Sequence, residues 1–294
     1  MTLTATLFLF VLILALILLA GGYYGSQMIL HSPDRDPIEF WPDQFQLTYE
    51  SVVFRTSDGV QLKGWFIPSS NGGSKTILLC HGWGANKGKL LASTEFLNRK
   101  GDFNLFYFDF RTHGQSGGSR ASLGLLEARD FDAATQFLKD HKPEFASRLG
   151  TYGLSLGGAV ALLGAARHPE YKAVCVESTF CSYNQVVLRY ASLFFHCPRP
   201  LGLASLGFIR LRLGEDPEPY SAIYHARKLA PRPILIIHGD NDPRMPLQEA
   251  HALYAECGEP KELWIVPGAD HGKCREASPE EYERRLLAFF EKNI

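Results

Sequence analysis

The chain has 294 residues, of which 46% are hydrophobic and 21% are charged, and its formal net charge is −1. These proportions are ordinary for a folded protein, and a charge near zero lacks the electrostatic footprint of a nucleic-acid-binding protein. Without an N-terminal membrane segment about 260 residues remain, which suits one large α/β domain or two small ones.

The N-terminal stretch is strongly apolar. No Asp, Glu, Lys or Arg precedes Asp34, and residues 3–20 are almost entirely Leu, Ile, Val, Phe and Ala. At 1.5 Å per residue, a helix over residues 3–20 would be about 27 Å long, enough for a thin hydrocarbon core. Two tyrosines follow, and tyrosines favour the interface between membrane and water. We therefore predict a transmembrane anchor over residues 1–24, followed by a proline-containing linker over residues 25–46.

A cleaved signal peptide is the alternative to an anchor. It would carry basic residues at its start and small residues before the cleavage site, and Leu18-Leu19-Ala20 fits that pattern poorly. Residues 21–50 contain one Arg and five acidic residues. Because Lys and Arg accumulate on the cytoplasmic side, this favours a folded domain outside the cytoplasm, although no basic residue precedes the helix either.

Alternating apolar and polar residues predict a strand hairpin over residues 47–55 and 60–67. Short continuous apolar runs follow, as expected of strands buried on both faces, at 76–80, 104–108, 149–152, 173–176, 234–237 and 263–266. Stretches with helical periodicity separate most of them, at 90–100, 125–139, 156–167, 247–257 and 279–292. This alternation predicts an α/β fold over residues 47–294, with a mostly parallel sheet and helices on both faces.

The alternation is interrupted between Val176 and Ile234 by a stretch that is rich in Leu, Phe, Tyr and Arg. Connections this long usually have structure or function of their own. We expect a small cap insertion at about 180–225, above the carboxyl edge of the sheet. Two compatible interpretations remain: a helical insertion that packs on the domain, or a lid near the membrane that lines an apolar pocket for an acyl or aromatic group.

The most informative motif is Gly153-Leu154-Ser155-Leu156-Gly157, between a predicted strand and a predicted helix. This G-x-S-x-G pattern in a strand–turn–helix setting resembles the nucleophile elbow of α/β-hydrolases. The elbow presents a serine at the carboxyl edge of the sheet, so Ser155 is the predicted nucleophile. The backbone N–H of Leu156 is then one predicted donor of the oxyanion hole.

A serine nucleophile needs a histidine base and a carboxylate that orients it, and in α/β-hydrolases the acid and the histidine follow the serine in that order. Of the ten histidines, His271 lies just past the last predicted strand and is the predicted base. Asp240 and Asp242 are both candidate acids after the strand 234–237. The segment HGDNDPRMP resembles the family motif H-G-x-x-D-x-x-V-P, whose aspartate corresponds to Asp242.

Two further segments carry the same resemblance. His81-Gly82-Trp83-Gly84 is similar to the oxyanion loop of the family, which implies that the backbone N–H of Trp83 is the second oxyanion donor. Simple core packing is the alternative role for Trp83. Asp109–Ser116 resembles the family's D-x-R-G-x-G-x-S segment, with His113 filling part of a glycine-rich turn. We expect Asp109 and Arg111 to brace loops near the elbow.

The chain as a whole resembles membrane-anchored α/β-hydrolases of the BEM46/ABHD13-like group, which are often labelled serine aminopeptidase-like. The shared features are an N-terminal anchor, the opening hairpin and the GLSLGG elbow. The resemblance implies a serine hydrolase that cleaves a carboxylic ester or thioester of a small-molecule or lipid-like acyl substrate. An amidase or peptidase of the same fold, or a membrane-tethered binding protein without catalysis, are the alternatives.

The sequence predicts no cofactor and no metal site, and its six cysteines form no CxxC pair. Cys181 and Cys197 could form a disulfide in an oxidising compartment. The sequence leaves the oligomeric state open.

Overall fold

The computed structural model describes residues 2–31 and 35–294. Helix α1 (Leu3–Leu30) comes first, and the Thr2 hydroxyl caps it by accepting the N–H of Ala5. The helix continues past the predicted anchor boundary at residue 24, so the first part of the predicted linker is helical. It continues because its last turns, including Leu30, are buried against the folded domain. Residues 32–34 of the predicted linker lie outside the described residues.

Helix α1 has two unlike parts. Residues 3–20 are apolar and largely exposed, and within the described part of the chain α1 is the one helix long and apolar enough to cross a membrane. Residues 21–30 instead contact the rest of the protein, and the carbonyl of Leu30 accepts the N–H of Ala121 at 3.0 Å. Its 28 residues span about 42 Å, which exceeds a hydrocarbon core of about 30 Å.

In residues 35–294, eight strands form a single sheet in the order β1-β2-β4-β3-β5-β6-β7-β8. Strand β2 pairs antiparallel with β1 and β4, and all other pairs are parallel. The strands are β1 (Glu50–Arg55), β2 (Gln61–Ile67), β3 (Lys75–Cys80), β4 (Asn104–Phe108), β5 (Arg148–Leu154), β6 (Tyr171–Glu177), β7 (Ile234–Gly239) and β8 (Lys261–Val266). The predicted hairpin and the mostly parallel sheet are confirmed.

Helices cover both faces of the sheet, as predicted. Successive residues of the central strands point to opposite faces, so that Leu78 lies in one core and Ile77 and Leu79 lie in the other. One core is covered by α4 (Glu127–His141), α5 (Leu156–Arg167) and α8 (Leu247–Glu256). The other is covered by α2 (Lys87–Thr94), α3 (Phe96–Arg99), α9 (Cys274–Ala277) and α10 (Pro279–Asn293).

The helix predicted over residues 90–100 differs in the structure. It begins at Lys87, where the Asn86 side chain caps it, and it divides into α2 and α3 at Glu95. At this start the Lys87 side chain is buried and contacts Asp109, directly after β4. Such a contact is distant in sequence, so the local apolar pattern does not indicate it.

The predicted cap insertion lies between β6 and β7. It consists of α6 (Tyr183–Phe195) and α7 (Arg199–Leu213), followed by three short 3-10 turns. Helix α6 ends at His196, which has a left-handed backbone conformation, and Pro198 precedes α7. The chain therefore reverses sharply between the two helices, and the turn that joins them is three residues long.

The two cysteines that could have paired are separated by α6. Cys181 and Cys197 are both free, and Cys181 is buried with its thiol directed to the carbonyl of Glu249. The 13 residues of α6 span about 20 Å. A disulfide needs Cα atoms about 4.4–6.8 Å apart, so this fold does not permit the bridge.

Candidate active site

Ser155 lies at the turn between β5 and α5, with φ +55° and ψ −115°. Residues with side chains rarely adopt a positive φ of this kind, and such strain persists only where the surroundings hold it. Here the N–H of Ser155 donates to the carbonyl of Glu177 at 2.8 Å, and the Thr179 hydroxyl donates to the carbonyl of Ser155 at 2.9 Å. The turn is thus held from the neighbouring strand.

The glycines that flank Ser155 are required by close backbone contacts. A Cβ at Gly153 would overlap the carbonyl of Gly157, and a Cβ at Gly157 would overlap the carbonyl of Cys80. The absence of side chains lets the N-terminus of α5 approach β3 and β5. Leu156 is the first residue of α5, where backbone N–H groups lack an acceptor within the helix and can bind an anion.

Asp242 and His271 are in direct contact. Their carboxylate Oδ2 and imidazole Nδ1 are 2.7 Å apart, and the Asp242 side chain is fully buried. The other carboxylate oxygen accepts the N–H groups of Arg244 and Met245 at 2.9 and 2.8 Å. Burial alone would raise the pKa of Asp242, but the hydrogen bond and the charge of His271 outweigh it and lower that pKa. Asp242 is therefore ionised at neutral pH and oriented toward the imidazole.

Asp240, the other candidate acid, has a different contact. Its Oδ1 accepts the N–H of Gly268 at 2.6 Å, and the residue is exposed. Asp240 thus ties the loop after β7 to the loop after β8, while Asp242 contacts the histidine.

Buried groups hold the loop that carries His271 in place. The N–H of Gly272 donates to the Ser178 hydroxyl at 3.2 Å, and the N–H of Cys274 donates to the Glu177 carboxylate at 3.3 Å. Glu177 also accepts the hydroxyls of Tyr152 and Tyr282 at 2.7 and 2.6 Å. Glu177 was not predicted as a positioning residue. An acidic residue directly after a buried strand was the signal that could have found it.

His81, in the predicted oxyanion loop, is structural. Its Nδ1 donates to the carbonyl of Gly82 at 2.8 Å, and its Nε2 accepts the N–H of Phe110 at 3.0 Å. Burial lowers the pKa of His81 to about 3. A neutral His81 therefore fixes the backbone of the loop that carries Trp83.

Trp83 packs against the core and also faces the candidate site. The indole packs against the core and lies 5.3 Å from the His113 ring, between ring centroids. It also lines the cavity that contains Ser155 and His271. The use of its backbone N–H as an oxyanion donor stays a prediction.

The segment after β4 braces the site, as predicted. Asp109 is buried and accepts the amine of Lys87 at 2.5 Å and the N–H of Gln115 at 2.8 Å. Arg111 forms ion pairs of 2.8 Å with Asp58 of the hairpin and with Asp130 of α4. These contacts tie the hairpin, the β4 loop and two helices together.

A cavity of about 820 Å³ lies above Ser155 and His271. Its walls come from several parts of the chain and are mostly apolar. They include Trp83 and Leu90, Tyr190, Phe194 and Phe195 of the cap, and Met28 and Ile29 of α1. This volume lies within the range of small-molecule sites.

Comparisons with known proteins agree with this architecture. Residues 113–294 match the prolyl oligopeptidase family. Protein YfhR of Escherichia coli (strain K12) is 32% identical over 228 residues, which cover 76% of this chain and 73% of YfhR. Protein bem46 of Schizosaccharomyces pombe is 28% identical over 223 residues, covering 75% of this chain and 69% of bem46.

A solved structure shows the same fold. The esterase Pf2001 of Pyrococcus furiosus is similar with a TM-score of 0.75 and 27% identity, covering 90% of this chain and 98% of the esterase. The family match spans more than half of the chain. The similarity to bem46 agrees with the group that the sequence motifs predicted. The chain therefore belongs to the prolyl oligopeptidase family and is a hydrolase of the α/β-hydrolase superfamily, similar to the bem46 group.

Proposed function

We propose that this protein is a serine hydrolase that cleaves a carboxylic ester or thioester through an acyl-enzyme on Ser155. The observation that carries the proposal is the 2.7 Å contact between Asp242 and His271, with His271 and the strained Ser155 lining the same cavity. A serine nucleophile, a histidine base and a buried carboxylate are the groups that acyl transfer by a serine hydrolase requires.

In the proposed reaction, the Ser155 hydroxyl attacks the acyl carbon while His271 takes its proton. The imidazolium that forms is stabilised by the Asp242 carboxylate, and the backbone N–H groups of Leu156 and Trp83 donate to the oxyanion. His271 then gives the proton to the leaving alcohol or thiol. Water attacks the acyl-enzyme, His271 takes a proton from the water, and release of the carboxylic acid restores the Ser155 hydroxyl.

Two observations support an ester or thioester substrate. The cavity wall is mostly apolar, which suits an acyl chain better than a polar peptide. The solved neighbour Pf2001 is described as an esterase. Cleavage of an amide or peptide by the same residues is the second candidate, and the match to the prolyl oligopeptidase family favours it.

We also propose that α1 is an uncleaved membrane anchor with the catalytic domain outside the cytoplasm. The exposed apolar surface of residues 3–20 supports the anchor. The burial of Leu30 and the contacts of residues 21–30 with the domain support the proposal that the helix is not cleaved off. Alkaline carbonate extraction tests the anchor: an anchored protein stays with the membrane pellet, and release of the protein would contradict the anchor.

The activity is tested with the full chain in detergent and p-nitrophenyl esters of rising acyl length. We expect hydrolysis by the wild-type protein and by Ser147→Ala, an exposed serine far from the site. Ser155→Ala should lose at least about a thousandfold in kcat/KM. Equal activity of the two serine variants would contradict the assignment of the nucleophile.

A further inference from the structure

Helix α7 of the cap lies alongside α1 and runs in the same direction. Three glycines of α1 approach α7 so closely that a side chain at any of them would overlap it. The facing pairs are Gly21 with Leu201, Gly22 with Ala204, and Gly25 with Ser205. Further along, Arg212 donates to the side chains of Ser26 and Gln27, both at 3.0 Å. Because residue numbers rise together along both helices, the N-terminus of α7 points toward the apolar part of α1.

This orientation places the turn between α6 and α7 beside the end of the membrane-spanning part of α1. Residues 193–203, here called the cap turn, carry exposed apolar side chains. Phe194 is 50% exposed and Phe195 is 55% exposed, and Leu193 and Leu203 are exposed as well. Contiguous exposed apolar side chains of this kind mark an interaction surface. Their continuity with the apolar surface of α1 points to the lipid bilayer as the partner.

The cap turn also borders the cavity above Ser155. Phe194 and Phe195 line that cavity, and Met28 and Ile29 of α1 line it from another side. Met28 is five residues beyond Tyr23, which corresponds to about 7.5 Å along the helix. The headgroup layer on each side of a bilayer is roughly 5–8 Å thick. With the two tyrosines at the interface, the cavity entrance would lie at the level of the lipid headgroups.

Charge at the entrance suits this location. The Arg244 side chain lines the cavity, is exposed, and has its guanidinium 5.9 Å from the centre of the Phe194 ring. Arg199, at the start of α7, is also exposed. Arginine beside exposed aromatic side chains fits the zone where lipid phosphates meet the apolar interior, since the cation binds phosphate and the rings lie deeper.

We propose that the cap turn is a second membrane contact and that the Ser155 cavity opens toward the bilayer, so that the substrate is a long-chain acyl ester dissolved in the membrane. This inference rests on the proposed function, because it needs Ser155 as the nucleophile and α1 as the anchor. It adds the source of the substrate and the route by which the acyl chain enters.

The chain carries its own probe for the membrane contact. Cys197 lies in the cap turn and is half-buried, whereas the other five cysteines are buried. A thiol-reactive fluorophore on Cys197 of the full chain, reconstituted in phosphatidylcholine vesicles with brominated acyl chains, should lose at least about half of its fluorescence relative to unbrominated vesicles. The matched control is Leu211→Cys with Cys197→Ser, since residue 211 is exposed and lies about 18 Å along α7 from its start. Equal quenching at the two positions would overturn the membrane contact.

The substrate route is tested by the double variant Leu193→Ser and Leu203→Ser, with Leu211→Ser as the control. In vesicles, the double variant should hydrolyse an embedded long-chain ester at least about tenfold more slowly than the wild-type protein, because two apolar contacts with lipid are lost. Hydrolysis of water-soluble p-nitrophenyl acetate should change less than about twofold, and Leu211→Ser should leave both rates unaltered. An equal loss on both esters, or no loss on either, would overturn the inference.

The two proposals fail in different ways. Hydrolysis of p-nitrophenyl acetate without selective quenching at Cys197 would reject the membrane route and leave the serine hydrolase intact. Selective quenching without hydrolysis of either ester would reject the proposed function, and with it the assignment of a membrane ester as substrate.

Discussion

Asp242→Asn preserves the shape of the side chain and replaces one acceptor oxygen by a donor NH₂ group. The remaining oxygen can still accept the N–H groups of Arg244 and Met245, which now contact Oδ1 at 2.9 and 2.8 Å. The new amide then faces Nδ1 of His271 in place of the carboxylate oxygen at 2.7 Å. A donor in that place selects the imidazole tautomer that carries its proton on Nε2. Because Nε2 is then already protonated, it cannot accept the proton of the serine hydroxyl.

The expected loss in kcat is about 10³–10⁴-fold, or roughly 4–5.5 kcal/mol of transition-state stabilisation. A hydrogen bond to a charged group accounts for about 1.5–3 kcal/mol of this, and the wrong tautomer accounts for the rest. The folded structure should be retained, because the loop contacts of residue 242 persist.

The assay is steady-state hydrolysis of a p-nitrophenyl ester by the full chain, with thermal unfolding as the control for folding. Asp240→Asn is the matched variant, since Asp240 contacts the N–H of Gly268 and an amide oxygen can replace that acceptor. It should lose less than about threefold in kcat, the effect of a loop contact remote from the reacting atoms. Equal losses in the two variants, or a larger loss at Asp240, would refute the reasoning.

Three further predictions concern stability. Gly157→Ala should destabilise the protein by about 2–3 kcal/mol, because the new methyl group overlaps the carbonyl of Cys80; calorimetry should show a lower Tm, whereas Gly207→Ala, which meets nothing within 4 Å, should keep or raise it. The folded protein holds His81 with a pKa of about 3, below its ordinary value of 6.5, so the unfolded chain binds the extra proton and stability should fall as pH drops from 6.5 toward 3. His81→Gln should show a shallower fall in denaturant titrations over that range, and an identical slope would contradict the assignment of a neutral buried imidazole. Removal of residues 2–30 should lower Tm much more than removal of residues 2–20, because only the first deletion takes away the buried end of α1; equal Tm values would show that this end contributes nothing to the fold.

The parallel strands could be predicted from the sequence because both of their faces are buried. The run at residues 104–108 coincides with β4 in full, and the helix over residues 156–167 coincides with α5. For β4 the local signal is a continuous run of apolar residues, and for α5 it is a glycine-flanked serine before a helical pattern. Both signals agree with the tertiary environment of these elements.

The predicted ends of helices differ from the structure where contacts with residues distant in sequence are made. The last turns of α1, as far as Leu30, are buried against the domain, and the amine of Lys87 at the start of α2 pairs with Asp109. Neither contact leaves a mark on the local sequence pattern.

Within the candidate site, local pattern alone left Asp240 and Asp242 as equal candidates, and the resemblance to a family motif separated them. Glu177 was not predicted, and the expectation of a lid over an apolar pocket did not single out Phe194 and Phe195, because these roles arise from packing between segments far apart in the chain. The cap insertion was expected from its length, but its alignment with α1 depends on close contacts of glycines that a single sequence does not indicate.

The most direct test of the central claim is mass spectrometry of the full chain after reaction with a fluorophosphonate, which phosphonylates activated serines. We expect one adduct per chain, on the peptide that contains Ser155, with loss of labelling in Ser155→Ala and strongly slowed labelling in Asp242→Asn. An unlabelled wild-type protein, or an adduct that persists in Ser155→Ala, would contradict the claim that Ser155 is the nucleophile of a serine hydrolase.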